Sequence, residues 1–279
     1  MKYTFSGHES FHCKSLWLKK GYDFVVEGKS FNDESAVVDL GVGKNMVSSI
    51  KYWLKSFGII NEDGSATPIG CSILSNDGYD PYIEDTNTQW LLHYLLVSTN
   101  YATLYHIVFN EFNKNRKDFS KSSLLTYIKR LFADKRFDKT PYNENTISRD
   151  ISTFLKMYAR PENSKVYEDF SAVLIDLNLI RRLDRDNFEF NTSTRASINP
   201  LIFLYAVLDV ANGDKVVEYY KLLNLAGIFG MTVNDLYDAF DSIHSMIPSI
   251  SFSNSAGEQL FTINEPISKE SILDMYYKK

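Results

Sequence analysis

The chain has 279 residues, 44% apolar and 14% aromatic, enough core-forming side chains for one to three globular domains and too many for a disordered polypeptide. Its formal net charge of −5 excludes a simple, avid, non-specific binder of polyanions. No apolar run reaches bilayer length, the opening residues lack the charged-then-apolar pattern of a secretion signal, and Cys13 and Cys71 form no CxxC or zinc spacing, so a cytoplasmic protein with free thiols is expected.

Residues 1–32 open with Phe5-Ser6-Gly7-His8-Glu9-Ser10-Phe11-His12-Cys13. His8, Glu9 and His12 formally satisfy H-E-x-x-H, a zinc-protease signature. That chemistry needs a formed helix and a third ligand downstream, and here the run follows a glycine near the chain end. The segment reads instead as a packed N-terminal stretch anchored by Phe5, Phe11, Leu16 and Trp17. His8 and Glu9 stay as candidate polar site residues.

Residues 33–70 read as a helix-turn-helix followed by a wing. Asp33 to Leu40 is a short amphipathic helix, and Gly41-Val42-Gly43 is the turn. In Lys44 to Phe57, Met46, Val47, Ile50, Trp53, Leu54 and Phe57 recur at helical spacing and form the inner face. Lys44, Ser48, Lys51 and Lys55 share the outer face, flanked by Asn45 and Tyr52. Gly58 stands where a left-handed cap belongs. Ile59-Ile60, a turn at Glu62-Asp63-Gly64-Ser65 and a return strand at Thr67 to Ile69 would form the wing. Such a helix suits the DNA major groove, with lysines on phosphates and Asn45, Ser48 or Tyr52 near base edges. The same fold also serves as a protein-binding module.

Charge is distributed unevenly. From Ile59 to Asn113 there are seven acids and no Lys or Arg, whereas Lys114 to Lys139 holds nine bases against three acids, a net +6. This polarity predicts a basic surface for phosphates, carried by Lys114, Arg116, Lys117, Lys129 and Arg130. After a short helix at Gly70 to Asn76, the run Asp77 to Asp85 carries Asp80, Glu84 and Asp85. These carboxylates could hold a divalent cation such as magnesium or manganese for phosphodiester chemistry. Alternatively, Asp85 or Thr86 caps the next helix. Gln89 to Thr99 should be a buried helix in which His93 is a satisfied core residue. Tyr101 to Phe112 is a second helix, and 113–120 a basic linker.

A second copy of the opening arrangement follows. Ser122 to Ala133 is a helix, and Asn145 or Glu144 starts the next, which runs to Tyr158 with Ile147, Ile151, Phe154, Leu155 and Tyr158 inward and Thr146, Arg149, Asp150, Thr153 and Lys156 outward. Val173 to Leu179 reads as a further helix. Ile180 to Asn191 is a wing hairpin turning at Asp184-Arg185-Asp186-Asn187. A fainter third copy spans helices at Leu201 to Ala211, Lys215 to Leu225 and Val233 to Ile243. It adds a hairpin around Asn254-Ser255-Ala256-Gly257 and a short helix after Pro266. Asp235, Asp238 and Asp241 make its last long helix acidic and unsuited to DNA. The expected fold is therefore mainly α with small β-hairpin wings, arranged as tandem winged-helix modules. The expected domains are 1–113, 114–199 and 200–279.

The runs Phe5-Ser6-Gly7-His8-Glu9-Ser10-Phe11, Trp17-Leu18-Lys19-Lys20-Gly21, Leu40 to Val47, Asp80-Pro81-Tyr82-Ile83-Glu84-Asp85 and Trp90-Leu91-Leu92-His93, with Phe109 to Phe112 and Ser148 to Ile151, stand in an order that resembles a bacterial family. It is the domain-of-unknown-function family four thousand and seven. His12 departs from its pattern, which weighs further against the zinc-protease reading. The resemblance implies a role in antiphage DNA phosphorothioation, beside sulfur-transfer and ATP-pyrophosphatase-like partner proteins. It also implies strand nicking, as for the B component of the single-strand system. On this reading the chain is a DNA-binding subunit of a sulfur-modification system, with His8, Glu9, Asp80, Glu84 and Asp85 as candidate catalytic groups. The DNA contacts would come from Lys44, Asn45, Ser48, Lys51, Tyr52, Lys55, the basic stretch and Arg149. A tandem winged-helix transcriptional regulator and a protein-binding scaffold are the alternatives.

Overall fold

A computed structural model describes residues 3–137, 140–161, 171–192, 198–255 and 258–278. Asp138 and Lys139 of the basic run, and Ala256 and Gly257 of the last hairpin, lie outside the described residues. Contacts divide the chain into two compact units, Met1–Asn191 and Thr192–Lys279. The boundary expected near 199 falls close to this division, and the one expected at 113 lies inside the first unit.

The first unit begins with α1 (Trp17–Val26), α2 (Ala36–Asp39) and α3 (Lys44–Ser56). Ile50, Trp53, Leu54 and Phe57 are completely buried, as the helical spacing demands. Gly58, at φ 67°, closes α3: its N–H bonds to Lys55 O and the Ile59 N–H to Leu54 O, a pairing that needs the left-handed residue. The wing expected behind α3 is much reduced. A single antiparallel bridge joins Ile60 to Ala66, and residues 67–69 start a helix instead of a return strand. The Thr67 side chain accepts from the Gly70 N–H, and Pro68 follows in the first helical position, which favours the helix α4 (Pro68–Leu74).

Next come α5 (Thr86–Ser98) and α6 (Thr103–Asn110), then a 3₁₀ turn at Phe112–Asn115. His93 lies buried in α5 with Nδ1 2.8 Å from the Tyr158 hydroxyl, the satisfied core histidine expected. The supposed linker 113–120 contains a strand, β1 (Asp118–Ser120). Then follow α7 (Lys121–Ala133), α8 (Glu144–Tyr158), β2 (Ile180–Arg182) and β3 (Asn187–Phe190). Ser120 and Ser123 cap α7 reciprocally, and the Asn143 side chain caps α8. The helix expected at 173–179 shrinks to a 3₁₀ turn at Ile175–Leu177, ended by Asn178 in the left-handed region. β1 pairs with β3, Phe119 opposite Phe188, so the sheet order is β1-β3-β2. Phe112, Phe119, Phe188 and Phe190 stack beneath it as one buried aromatic cluster.

The second unit consists of α9 (Pro200–Ala211), β4 (Val216–Glu218), α10 (Tyr219–Ile228), α11 (Val233–Met246), β5 (Ile250–Ser255), β6 (Glu258–Ile263) and α12 (Lys269–Tyr277). The helix expected from Lys215 starts later because 216–218 pair with β6, Val217 opposite Phe261. The sheet order is β4-β6-β5. The series α6-β1-α7-α8-β2-β3 and α9-β4-α10-α11-β5-β6 are thus the same arrangement: helix, strand, two helices, then a hairpin whose second strand takes the first strand as neighbour. Among the described residues no helix is long and apolar enough to cross a membrane.

Candidate nucleic-acid interface

The Phe5–Cys13 run forms successive turns, with no helix over 8–12. Ser6, Glu9 and Ser10 adopt positive φ values. A side chain at Gly7 would meet the Tyr52 ring at 2.3 Å, so the turn can press onto α3 only with glycine there. His8 is 1% exposed, stacked on Trp53 at 5.9 Å and edge-on to Tyr52. Its Nδ1 accepts from the Ser10 N–H, and its Nε2 stands 3.0 Å from Asp150 Oδ1, in close contact without an aligned hydrogen bond. The other Asp150 oxygen accepts from the Ser6 N–H at 2.9 Å.

This latch accounts for two departures from helical periodicity. Asp150 of α8, expected outside, is buried against Ser6 and His8 of the N-terminal turn, and Thr153, also expected outside, is buried too. Tyr52, expected near base edges, is 6% exposed and lies among His8, Trp53 and Tyr101. Burial, then the Asp150 charge, pushes its phenol far above the ordinary range. A run with glycine, histidine and two serines but no regular period was the available signal for such a plug. It did not say which helix would be covered.

On α3, Lys44, Asn45 and Ser48 are exposed, whereas the other two lysines are engaged. Lys51 Nζ bonds to Asn32 Oδ1 at 3.2 Å, and Lys55 holds Glu62 through its carboxylate at 2.8 Å and its carbonyl at 2.9 Å. On α8, Asn145, Ser148, Arg149, Ser152 and Lys156 form one exposed stripe. Sequence placed Arg149 and Lys156 of these on the outer face and named Arg149 alone as a DNA contact. Among the described residues neither Arg149 nor Lys156 has an ion-pair partner. Further along the first unit, the β2–β3 turn exposes Arg185 and is tied by Asp184, whose carboxylate accepts from the Asp186 and Asn187 N–H groups, both at 2.9 Å. Lys114, Arg116, Lys117, Lys129 and Arg130 are all exposed. Arg136 is instead held in a two-point pair with Glu111.

The acidic stretch is built around Asp80, 8% exposed. Its two oxygens accept from the Glu84 and Asp85 N–H groups, each at 2.9 Å, closing a loop in which Ile83 sits at φ 57°. Asp85 caps α5, accepting from the Asn87 N–H at 2.8 Å, while Glu84 is exposed. Glu9 is exposed on the N-terminal turn. Among the described residues no three His, Cys, Asp or Glu side chains are gathered as a metal site, so the five candidate catalytic groups do not converge on one.

Fold and surface together define a mainly helical protein that repeats one helix–strand–helix–helix–hairpin frame and, among the described residues, carries cations without ion-pair partners on α8 of the first frame. The chain belongs to the family described as "Protein of unknown function (DUF4007)", whose model matches residues 5–277. Two crystal structures share its fold. A magnesium ion-bound SspB structure is 24% identical with a TM-score of 0.85, covering 99% of this chain and 88% of that one. A second SspB structure is 25% identical, with the same TM-score and coverage. No curated protein matches the chain.

Proposed function

We propose that this protein is a DNA-engaging subunit of a DNA phosphorothioation system, acting beside sulfur-transfer and ATP-pyrophosphatase-like partners in antiphage defence. The two repeated frames are winged helices, with residues 33–70 a reduced relative of them. α8 occupies the position of the recognition helix, which lies in the major groove. The observation that carries the reading is its exposed stripe. Asn145, Ser148 and Arg149 near the helix start are base-edge donors and acceptors, and Lys156 suits a phosphate. Arg185 on the wing and the exposed bases of 114–130 extend the cationic surface. The fold shared with SspB supports the assignment to a modification system.

α11, the equivalent helix of the second unit, exposes Asp238 and Asp241, which phosphates repel. DNA engagement therefore belongs to the first unit. Lys44, Asn45 and Ser48 of α3 are secondary contacts, since Lys51 and Lys55 already have partners. Strand nicking with magnesium or manganese is a second step of this reading, favoured by the magnesium-bound relative with the same fold.

Fluorescence anisotropy with labelled duplexes tests it. The double variant Asn145→Ala/Arg149→Ala should lose about tenfold or more in affinity, the usual worth of one good base contact or more. The variant Lys44→Ala should lose less. Equal affinities for all three proteins would reject α8 as the reading helix. Binding confined to one operator sequence would mark a transcriptional regulator instead.

A further inference from the structure

Between the 3₁₀ turn at 112–115 and α7 lies a groove of about 310 Å³, at the small end of the range for ligand sites. Arg116, Ser122, Ser123, Thr126, Tyr127 and Arg130 line it. The Arg116 guanidinium rests over the Phe112 ring, 4.8 Å from its centre, so its orientation is set before anything binds. Among the described residues neither Arg116 nor Arg130 has an ion-pair partner. The neighbouring Arg136 is neutralised by Glu111, leaving two uncompensated positive charges along the groove. Thr126 and Tyr127 add hydroxyl donors, while the Ser122 hydroxyl is shared with Ser120 Oγ at 2.9 Å. Ser123 is spent on the α7 cap, where its hydroxyl donates to Ser120 O.

This inventory exceeds what one backbone diester can use. A diester offers two non-bridging oxygens and a single negative charge. A terminal monoester offers three oxygens and close to two negative charges at neutral pH. Two guanidinium forks with hydroxyls between them match the second.

We propose that this groove holds a phosphate monoester, the terminal phosphate of a nucleic-acid strand, in preference to the diester of an unbroken backbone. The strand as source rests on the DNA-engaging function proposed above; the monoester chemistry rests on the groove alone. A broken strand would be retained by its end while the rest of the duplex stays on α8.

The test compares labelled duplexes that are intact, nicked with a 5′-phosphate, nicked with a 3′-phosphate, or nicked without phosphate, all without divalent ions. One phosphorylated nick should bind about tenfold tighter than the unphosphorylated one, the worth of a single charge-assisted hydrogen bond. Arg116→Gln/Arg130→Gln should erase that preference, and Arg130→Gln alone should reduce it. Asn145→Ala/Arg149→Ala should weaken all four duplexes and keep the preference. A preference that is missing in the parent, or that survives the double groove variant, overturns the proposal. Titration with thymidine 5′-monophosphate against thymidine, followed by NMR, separates the two readings. If no duplex binds but the monophosphate does, in a manner dependent on Arg130, the DNA function fails and the strand-end source with it, while the monoester site stands as one for a free nucleotide.

Discussion

The latch between His8 and Asp150 offers the sharpest stability test. His8→Ala removes a ring packed between Tyr52 and Trp53 and leaves Asp150 Oδ1, in a residue 3% exposed, without the group facing it at 3.0 Å. Both the cavity and the abandoned carboxylate oxygen are costly, so the expected loss is about 3–5 kcal/mol. Asp150→Ala leaves the Ser6 N–H unanswered and removes the carboxylate 3.0 Å from His8 Nε2, and should cost roughly 2 kcal/mol or more. Because the partners face one another, the double variant should fall short of the sum by about 1–3 kcal/mol. Guanidinium unfolding followed by tryptophan fluorescence is the suitable assay: Trp17, Trp53 and Trp90 all lie in the first unit, so the signal reports that unit alone. A His8→Ala protein within about 1 kcal/mol of the parent, or a strictly additive double variant, would refute the latch.

Asp80→Ala strips the acceptors from two backbone N–H groups and should cost about 1–3 kcal/mol, whereas Asp85→Asn should stay within about 0.5 kcal/mol because asparagine caps about as well as aspartate; denaturant melts check both. If Asp80→Asn or Asp85→Asn abolishes plasmid nicking in magnesium without lowering the melting temperature, this stretch does chemistry as well as shaping its loop. In the β2–β3 turn, the Asn187 side chain first, then the Asp186 and Asn187 N–H groups, hold the Asp184 carboxyl below the ordinary 3.8. A lowered value means the turn keeps this support at and above pH 3.8 and loses it as pH falls through the folded value. A carboxyl NMR titration of Asp184 with its midpoint at or above 3.8 would remove that role.

What could be read from sequence was local. The inner face of α3, the Gly58 cap, the Asp85 cap and the Asp184 turn are each set by residues within one or two helical turns. The misses were set from far away. Residues 118–120 join β3 across the two intervening helices α7 and α8, a pairing that three residues of sequence do not announce. Asp150 looked solvent-facing because periodicity separates polar from apolar. It cannot foresee that a polar face will be covered by a polar plug from residues 6–10. Tyr52 was misjudged for the same reason, since its cover is Gly7 and His8. The candidate interface was legible in kind, as a basic stretch with Arg149. Its stripe on α8 emerged only when burial showed which neighbours of Arg149 stay exposed.

The central claim is that duplex DNA lies on α8 and its wing, and the salt dependence of binding tests it most directly. Each phosphate contact contributes about 0.9 to the slope of log affinity against log salt. The triple variant Arg149→Ala/Lys156→Ala/Arg185→Ala should therefore flatten the slope by about two to three, and Lys44→Ala/Lys51→Ala/Lys55→Ala by only about one, because Lys51 and Lys55 already serve Asn32 and Glu62. The reverse order, or a slope unchanged by the α8 and wing variant, would contradict the account.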